Sequence, residues 1–203
     1  MIGKHVLVWG MARSGVAAAK LLNDAGAYVR INDLKTAEAL GDSMAPLKAE
    51  GIEWRLGEPV ENCLDGMDMM VISPGIPAEQ PAVALARSKG IEVIGEVELA
   101  YRLGRGHVVA VTGTNGKTTT TTLLGEIFKN AGRISYVVGN IGDPYSAYAS
   151  QMKDDDMVVC ELSSFQLETV DTFRPEISLI LNLTEDHLNR HHTMENYAAV
   201  KER

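Results

Sequence analysis

Hydrophobic residues along the chain fall into short runs separated by stretches of mixed, helix-like periodicity. The runs predict buried strands at 5–9, 28–32, 67–72, 91–94, 108–111, 134–138, 157–162 and 177–183. The mixed stretches, several of them closed by glycine, predict helices at 16–25, 37–50, 81–89, 95–101, 118–131 and 194–203. Gly41 and Pro46 interrupt the helix at 37–50 and weaken it. Strands that alternate with helices predict an α/β protein with a parallel, doubly wound sheet.

The first strand leads into a glycine-containing turn, Gly10 to Gly15, with the pattern G-x-A-x-x-G. This pattern is close to the dinucleotide-binding fingerprint, in which the chain turns tightly and its backbone approaches a pyrophosphate. Ala12 adds a methyl group at the point of that approach, which disfavours NAD. A ligand-binding turn and a turn that only packs helix on strand both remain open.

A second turn, T-G-T-N-G-K-T at 112–118, follows the strand at 108–111 and opens a helix. Two glycines and the free N–H groups of a helix start form a phosphate cradle, with Lys117 for the β- and γ-phosphates and the Thr118 hydroxyl for Mg²⁺. It is not a standard Walker A motif, because Val111 stands where the first glycine would fall. The candidate ATP-binding residues are Gly113, Thr114, Asn115, Gly116, Lys117, Thr118 and Thr119.

Other polar residues follow the later strands: Asn140, Glu161 with Ser163, and His187. Loops after parallel strands share one edge of the sheet, so we expect these side chains to converge on the cradle. A carboxylate buried at the end of an apolar strand is costly unless it has a metal or a basic partner, so we expect one near Glu161. The alternative is that Glu161 is simply exposed at the end of its strand. Thr118 and Glu161 would offer Mg²⁺ the hard oxygen ligands it prefers.

Length and composition set the wider limits. The 203 residues suffice for one large or two modest domains, which we divide at 1–95 and 96–203, with a glycine-rich joint at 102–106. The chain stops within a predicted helix, so we expect it to be the amino-terminal part of a longer enzyme. A net charge of −8 argues against nucleic acid or an anionic membrane as partner.

Targeting signals and cysteine usage point to the cytoplasm. No apolar run is long enough for a membrane helix, and the amino terminus lacks a signal-peptide pattern. Cys63 and Cys160 lie in separate apolar runs, which favours buried free thiols in a reducing compartment.

Four motifs together resemble the Mur ligase family of ATP-dependent amide-bond ligases: T-G-T-N-G-K-T, E-L-S-S-F-Q-L-E, L-N-L-T-E-D-H-L-N-R-H and Y-A-A-V-K. The second motif is similar to family members that add D-glutamate to UDP-N-acetylmuramoyl-L-alanine; members that add other amino acids, and folylpolyglutamate synthase, share the cradle but not that run. The resemblance implies a Rossmann-like parallel-sheet domain for the UDP-sugar, then an incomplete P-loop NTPase-like α/β domain for ATP, with a third domain absent. It also implies a cytoplasmic, monomeric full-length ligase of peptidoglycan precursor synthesis.

The resemblance assigns catalytic and metal roles to a few residues. Lys117 would hold the ATP phosphates, and Thr118 with Glu161 would bind the Mg²⁺ between the β- and γ-phosphates. His187 would bind a second Mg²⁺ together with Lys201, a candidate carbamylated lysine whose added carboxylate replaces a repulsive ammonium. Without the resemblance, Lys201 reads as a solvated helix lysine.

The resemblance also implies the UDP-sugar site, which would comprise Arg13, Ser14, Gly15, Asp33, Lys35, Ser73, Gly75, Asn140, Ser163 and His187. Two departures weaken it locally: Asn189 stands where the family has Asp, and Leu34-Lys35 differ from the residues common there. His191 and His192 could form a metal cluster with His187, but polar residues at a strand end are the favoured interpretation.

The implied reaction has two steps: the acceptor carboxylate takes the γ-phosphate of ATP, and the amine of D-glutamate then displaces phosphate. We expect the present residues alone to show little or no turnover. One alternative is a module that binds the UDP-sugar and turns nothing over; another is an NAD-dependent oxidoreductase, which Ala12 and the cradle disfavour.

Overall fold

The structure, a computed structural model, describes residues 1–47 and 51–203. The first part of the chain forms a five-stranded sheet of order β3-β2-β1-β4-β5, in which every described pair is parallel. Its elements are β1 His5–Trp9, α1 Arg13–Asp24, β2 Tyr28–Asp33, α2 Ala37–Leu40, β3 Ile52–Leu56, β4 Met69–Ile72, α3 Pro81–Ser88 and β5 Glu92–Gly95, with 3₁₀ helices at Gly41–Leu47 and Val60–Cys63. The strand order reverses between β1 and β4, where open α/β sheets form their ligand crevice.

The second part forms a four-stranded sheet of order β7-β8-β6-β9, again parallel throughout its described pairs. Its elements are α4 Glu96–Leu103, β6 His107–Thr112, α5 Lys117–Asn130, β7 Ser135–Gly139, β8 Met157–Glu161, α6 Ser164–Leu167, β9 Ile177–Ile180, α7 Leu188–His191 and α8 Met194–Lys201, with a 3₁₀ helix at Tyr145–Ala147. Two parallel sheets with connecting helices confirm the predicted α/β class.

Helix α4 joins the two sheets through both apolar and polar contacts. Leu99 and Ala100 are fully buried in a cluster that also holds Val8 of β1 and Val108 of β6. Glu98, on the same helix, has no exposed surface and accepts hydrogen bonds from the backbone of 171–173 and from a neighbouring arginine. Burial opposes its ionisation, but these donors prevail and lower its pKa to about 2. A charged, fully bonded carboxylate therefore fixes this junction.

Two local expectations were wrong. The helix predicted at 37–50 ends at Leu40, because Gly41 adopts a φ of 56° and a 3₁₀ helix with Pro46 follows; its last residues, 48–50, lie outside the described part. The strand β3 was not predicted. It lies at the edge of its sheet and has no fully buried residue, so its hydrophobic pattern is weak.

Two expectations about the whole chain bear on its surroundings. Within residues 1–47 and 51–203, no helix combines the length and the apolar character that crossing a bilayer requires. Cys63 and Cys160 are buried free thiols, as their apolar surroundings indicated.

Candidate functional site

The turn between β1 and α1 is closed by tight packing. Gly10 has a φ of 92°, and a Cβ on Gly15 would overlap the carbonyl oxygen of Gly10, so glycine is required at the close approach. The Ser73 hydroxyl, which follows β4, donates to that same carbonyl at 2.7 Å. Ser73 thus secures the turn from the next strand.

Asp33, at the end of β2, holds the same turn from the other side. One carboxylate oxygen accepts the N–H of Met11 at 2.7 Å, and the other accepts the N–H of Lys35 at 2.9 Å. The side chain of Lys35 lies in solvent, and Ser14 is half-buried at the start of α1. Asp33 therefore positions the turn, and both of its carboxylate oxygens are hydrogen-bonded to backbone N–H groups.

Arg13 reaches away from its own sheet. Its guanidinium donates to the carbonyl of Gly142 at 2.8 Å and pairs with Asp143 at 2.9 Å, across the boundary between the two sheets. The Tyr148 hydroxyl donates to the second oxygen of Asp143. The side chain of Arg13 is 73% exposed, so the pair lies at the surface.

The turn between β6 and α5 is the predicted phosphate cradle. Gly113 and Gly116 have φ values of 142° and 83°, and Gly116 begins the helix in a left-handed conformation. The ammonium of Lys117 folds back over the loop and donates to the carbonyls of Gly113 and Thr114 at 2.9 and 2.8 Å. Asn182, after β9, exchanges two hydrogen bonds with the backbone of residue 115. Asn182 therefore fixes the loop from the side of β9, and the ammonium of Lys117 ties two of the loop's carbonyls together.

Glu161 meets the cradle from the neighbouring strand. It is only 2% exposed, and its two oxygens accept hydrogen bonds from the Thr118 hydroxyl at 2.9 Å and from the Asn140 amide at 2.8 Å. The pairing β7-β8-β6 brings these three residues together, as the shared sheet edge predicted. Glu161 is therefore not an exposed strand-end residue.

Lys201, the last residue of α8, lies against the cradle and not in solvent. It is 5% exposed, and its ammonium donates at 3.1 Å to the Thr112 hydroxyl and to the carbonyl of Gly113. Burial and then the charge of Lys117 lower its pKa to about 8, although Asp186 opposes the shift. A lysine in this state carries an appreciable neutral fraction near physiological pH.

His187 completes this edge. It begins α7 with a φ of 53°, unusual for a residue with a side chain, and its ring centroid lies 4.8 Å from that of Phe165. Its Nε2 is 3.5 Å from a carboxylate oxygen of Asp186. The ring is thus held in a strained loop between an aromatic face and a carboxylate.

A cleft of about 270 Å³ opens where the two sheets meet. Of the predicted site residues, it is lined by Gly75, Gly113, Lys117, Asn140, Ser163, His187 and Lys201. Gly75 comes from the first sheet and the others from the second, so the cleft joins both halves of the chain. The predicted residues Arg13, Ser14, Gly15, Asp33, Lys35 and Ser73 do not line it; they lie around the first turn or at the boundary described above. The predicted ATP and metal residues Thr114, Asn115, Gly116, Thr118, Thr119 and Glu161 do not line it either.

Sequence reasoning missed five residues of the cleft: Pro74, Ser164, Phe165, Asp186 and Tyr197. The Tyr197 hydroxyl lies 3.1 Å from that of Thr114, and its ring lies 4.9 Å from the ammonium of Lys201. Tyr197 and Lys201 are four residues apart in Y-A-A-V-K, a spacing that places both on one helix face and could have flagged the pair.

His191 and His192, the two histidines considered for a metal cluster with His187, have other partners. His191 is buried, its Nε2 lies 2.8 Å from the Ser164 hydroxyl, and burial lowers its pKa. His192 lies near Glu79 at the surface. Across the described residues, no three His, Cys, Asp or Glu side chains are grouped as a ready metal site. A cation at the cradle would therefore need oxygen ligands from Thr118 and from the nucleotide in addition to the carboxylate of Glu161.

The donor set at the cradle fits phosphate and Mg²⁺. Thr118 and Glu161 offer hard oxygens, Lys117 offers a positive charge, and the first N–H groups of α5 receive no side-chain cap. The geometry thus suits a nucleoside triphosphate with its cation.

Comparison with known proteins places this architecture in a family. Residues 4–95 match the model of the Mur ligase MurD-like N-terminal domain, and residues 111–203 match that of the Mur ligase middle domain. The chain belongs to the Mur ligase family.

Named relatives and solved structures agree with this assignment. UDP-N-acetylmuramoylalanine–D-glutamate ligases of Alkaliphilus oremlandii and Caldanaerobacter subterraneus are 53% and 52% identical to it over 200 residues. The chain aligns over 98% of its length with each but spans only 44% of theirs.

Solved structures match the fold. A UDP-N-acetylmuramate:L-alanyl-gamma-D-glutamyl-meso-diaminopimelate ligase from Neisseria meningitides has a TM-score of 0.63 at 20% identity, covering 98% of this chain and 66% of that one. UDP-N-acetylmuramate-alanine ligase from Thermotoga maritima has a TM-score of 0.58 at 21% identity, covering 97% and 45%. The first sheet is accordingly Rossmann-like, and the second is P-loop-like.

Proposed function

We propose that this chain forms the acceptor-binding and ATP-binding part of a ligase that joins D-glutamate to UDP-N-acetylmuramoyl-L-alanine in peptidoglycan precursor synthesis. The observation that carries the proposal is the cleft, in which Gly75 of the first sheet faces Lys117, His187 and Lys201 of the second. The names of the relatives at about 50% identity support the choice of substrates.

The cradle is proposed to bind ATP. Backbone N–H groups from Gly113 to Thr119 would surround the phosphates, and Lys117 would exchange its bonds to the carbonyls of Gly113 and Thr114 for bonds to phosphate oxygens. Its present partners are neutral carbonyls, so a charged phosphate oxygen is the stronger acceptor.

Two Mg²⁺ ions are proposed, and when bound they would neutralise charge on the transferring phosphoryl group. Thr118 and Glu161 would hold one of them, with Asn140 orienting the carboxylate. His187 and Lys201 would hold the other. Lys201 would do so as a carbamate, and its lowered pKa supplies the neutral amine that takes up CO₂.

The acceptor is proposed to lie across both sheets. Ser14 and Gly15 at the start of α1, with Arg13, would face the diphosphate, and Asp33 with Lys35 would lie near the uridine and its ribose. Ser73 and Gly75 would flank the groove, and Asn140, Ser163 and His187 would reach the muramoyl end. This path leads the terminal carboxylate toward Lys117.

In the proposed reaction, that carboxylate attacks the γ-phosphorus in line, forming an acyl phosphate and releasing ADP. The amine of D-glutamate then attacks the acyl carbon, forms the amide, and releases phosphate and a proton. Lys117 contributes by position and charge throughout.

The test is a binding titration with UDP-N-acetylmuramoyl-L-alanine, followed by an ADP-release assay with ATP, Mg²⁺ and D-glutamate. We expect saturable binding that weakens in Ser14→Ala. ADP release that requires both acceptor and D-glutamate would extend the proposal to turnover by these residues, whereas binding without release would favour the binding-module alternative. Failure to bind the UDP-sugar would reject both.

A further inference from the structure

Arg190 joins the two sheets at the edge of the cleft. Its Nε and Nη2 donate to the two oxygens of Glu168 at 2.9 and 2.6 Å, and Nη2 also donates to the carbonyl of Ile76 at 3.2 Å. The side chains of Arg190 and Glu168 are 14% and 12% exposed. This is the two-pronged pairing that the planar guanidinium makes and that an ammonium cannot reproduce.

The same guanidinium covers an aromatic residue of the cleft. Its Cζ lies 4.7 Å from the ring centroid of Phe165, within the range of a cation–π contact. Phe165 also lies against the rings of His187, at 4.8 Å, and His191, at 5.8 Å. Arg190 therefore supports one wall of the cleft without lining the cleft itself.

Ile76 carries the contact into the first sheet. It follows Pro74 and Gly75, both of which line the cleft, and its N–H donates to the carbonyl of Ser73 at 2.9 Å. Its Cδ1 packs so closely on the first turn that a Cβ at Gly10 would lie 2.9 Å from it. The loop 73–77 is thus anchored to the first turn by its side chain and to the second sheet by Arg190.

We propose that Arg190 is a positioning residue for the acceptor: by holding the carbonyl of Ile76, it places Pro74 and Gly75 where the sugar-peptide end of the UDP-sugar enters the cleft. This inference rests on the proposed function and deepens it. The diphosphate end is proposed to lie at the start of α1, where Ser73 and Asp33 hold the first turn by their own hydrogen bonds. Arg190 then serves only the part of the ligand beyond the diphosphate.

The test compares three ligands on the whole chain carrying Arg190→Lys. Lysine loses the two-pronged pairing with Glu168 and the planar contact with Phe165, so the group that holds the carbonyl of Ile76 is no longer fixed and the anchor of the loop is weakened. Affinity for UDP-N-acetylmuramoyl-L-alanine should fall about tenfold, the size expected for one hydrogen bond to a charged group. Affinity for UDP and for Mg·ATP should stay within about twofold of the wild type. Calorimetric titration measures all three.

Arg30→Lys is the matched control. Arg30 also pairs with a glutamate, Glu53 at 2.7 Å, and also donates to backbone carbonyls, those of Cys63 and Asp65. These partners do not line the cleft. We expect Arg30→Lys to leave all three affinities unchanged, even if it lowers stability as much as Arg190→Lys does.

Glu168→Gln provides a second route, because it removes the charge that holds Arg190 while leaving the guanidinium in place. The same selective loss in this variant supports the proposal, also if Arg190→Lys does not fold. Unchanged affinity for the UDP-sugar, an equal loss for UDP, or unfolding of both variants would overturn it. A wild-type chain that binds no UDP-sugar would instead reject the proposed function.

Discussion

The two glycine turns of this chain have the same local design and opposite surroundings. Each follows a buried parallel strand and opens a helix, but the first is packed shut by Ser73 and by the close approach of Gly15 to Gly10. The second faces a cleft and is surrounded by Lys117 and Lys201, with the buried carboxylate of Glu161 at its base. Both glycine turns supply backbone N–H groups. The side chains around each turn determine whether it is tightly packed, as the first is, or faces an open cleft, as the second does.

The largest expected effect is the difference in stability lost when a glycine of each turn is replaced by alanine, because the two turns differ in the space available for a methyl group. Gly15→Ala should destabilise the protein by about 3 kcal/mol or more, because the new methyl group meets backbone that cannot move aside. Gly116→Ala should cost only about 1–2 kcal/mol, since the nearest atom to its Cβ is Leu181 Cδ1 at 3.6 Å and only the positive φ is strained. Urea unfolding measures both, and equal losses would contradict the comparison.

The next effect separates the turns by charge. Lys117→Ala should weaken Mg·ATP binding about 100-fold while leaving the affinity for UDP unchanged, because the lysine serves only the second turn. Lys129→Ala, in the last turn of the same helix, is the control and should bind ATP normally. An equal loss for both nucleotides would mean that Lys117 acts through the fold.

A smaller effect tests how the first turn is secured. Ser73→Ala removes the 2.7 Å hydrogen bond to the carbonyl of Gly10 and should lower the free energy of unfolding by about 1 kcal/mol. Ser88→Ala removes a bond of the same length at the exposed end of α3 and should cost less. Guanidinium unfolding of the two variants gives the difference; a neutral Ser73→Ala would show that packing alone closes the turn.

The last effect is a pH dependence at the second turn. The pKa of Lys201 is about 8 in the folded state, below its ordinary 10.5, so the folded protein releases this proton first. Its buried charge therefore destabilises the fold at pH 7, and this cost is relieved as the pH rises from about 8 toward 10.5. In CO₂-free buffer, the stability of the wild type relative to Lys201→Met should rise over that range. A difference that does not change with pH would place the lysine in solvent.

Much of the second turn was predictable because its polar side chains follow directly after strands. Lys117, Thr118, Asn140 and Glu161 each follow an apolar run, and parallel strands bring such positions to one edge. Lys201 does not follow a strand, so the hydrophobic periodicity alone predicts a solvent-exposed helix lysine. Its burial depends on how α8 packs, which the local sequence pattern does not determine.

The unpredicted contacts join residues far apart in the chain. Arg13 pairs with a residue 130 positions away, and the carbonyl of Ile76 accepts from an arginine 114 positions away. The positions of these residues in the sequence do not predict their partners, because such contacts depend on how the two sheets pack against each other. The edge strand β3 was missed for a different reason: half-exposed residues weaken the alternation by which strands are identified.

The Arg13–Asp143 pair has a consequence for any anion that arrives at the start of α1. A phosphate that binds Nη2 of Arg13 must displace the carboxylate of Asp143, so the net benefit of that exchange is the difference between two ion pairs. Added salt weakens both pairs, and much of its effect cancels. Arg13 would then contribute more to selectivity among anions than to affinity. Release of Asp143 would also remove a contact across the boundary between the two sheets when the ligand binds.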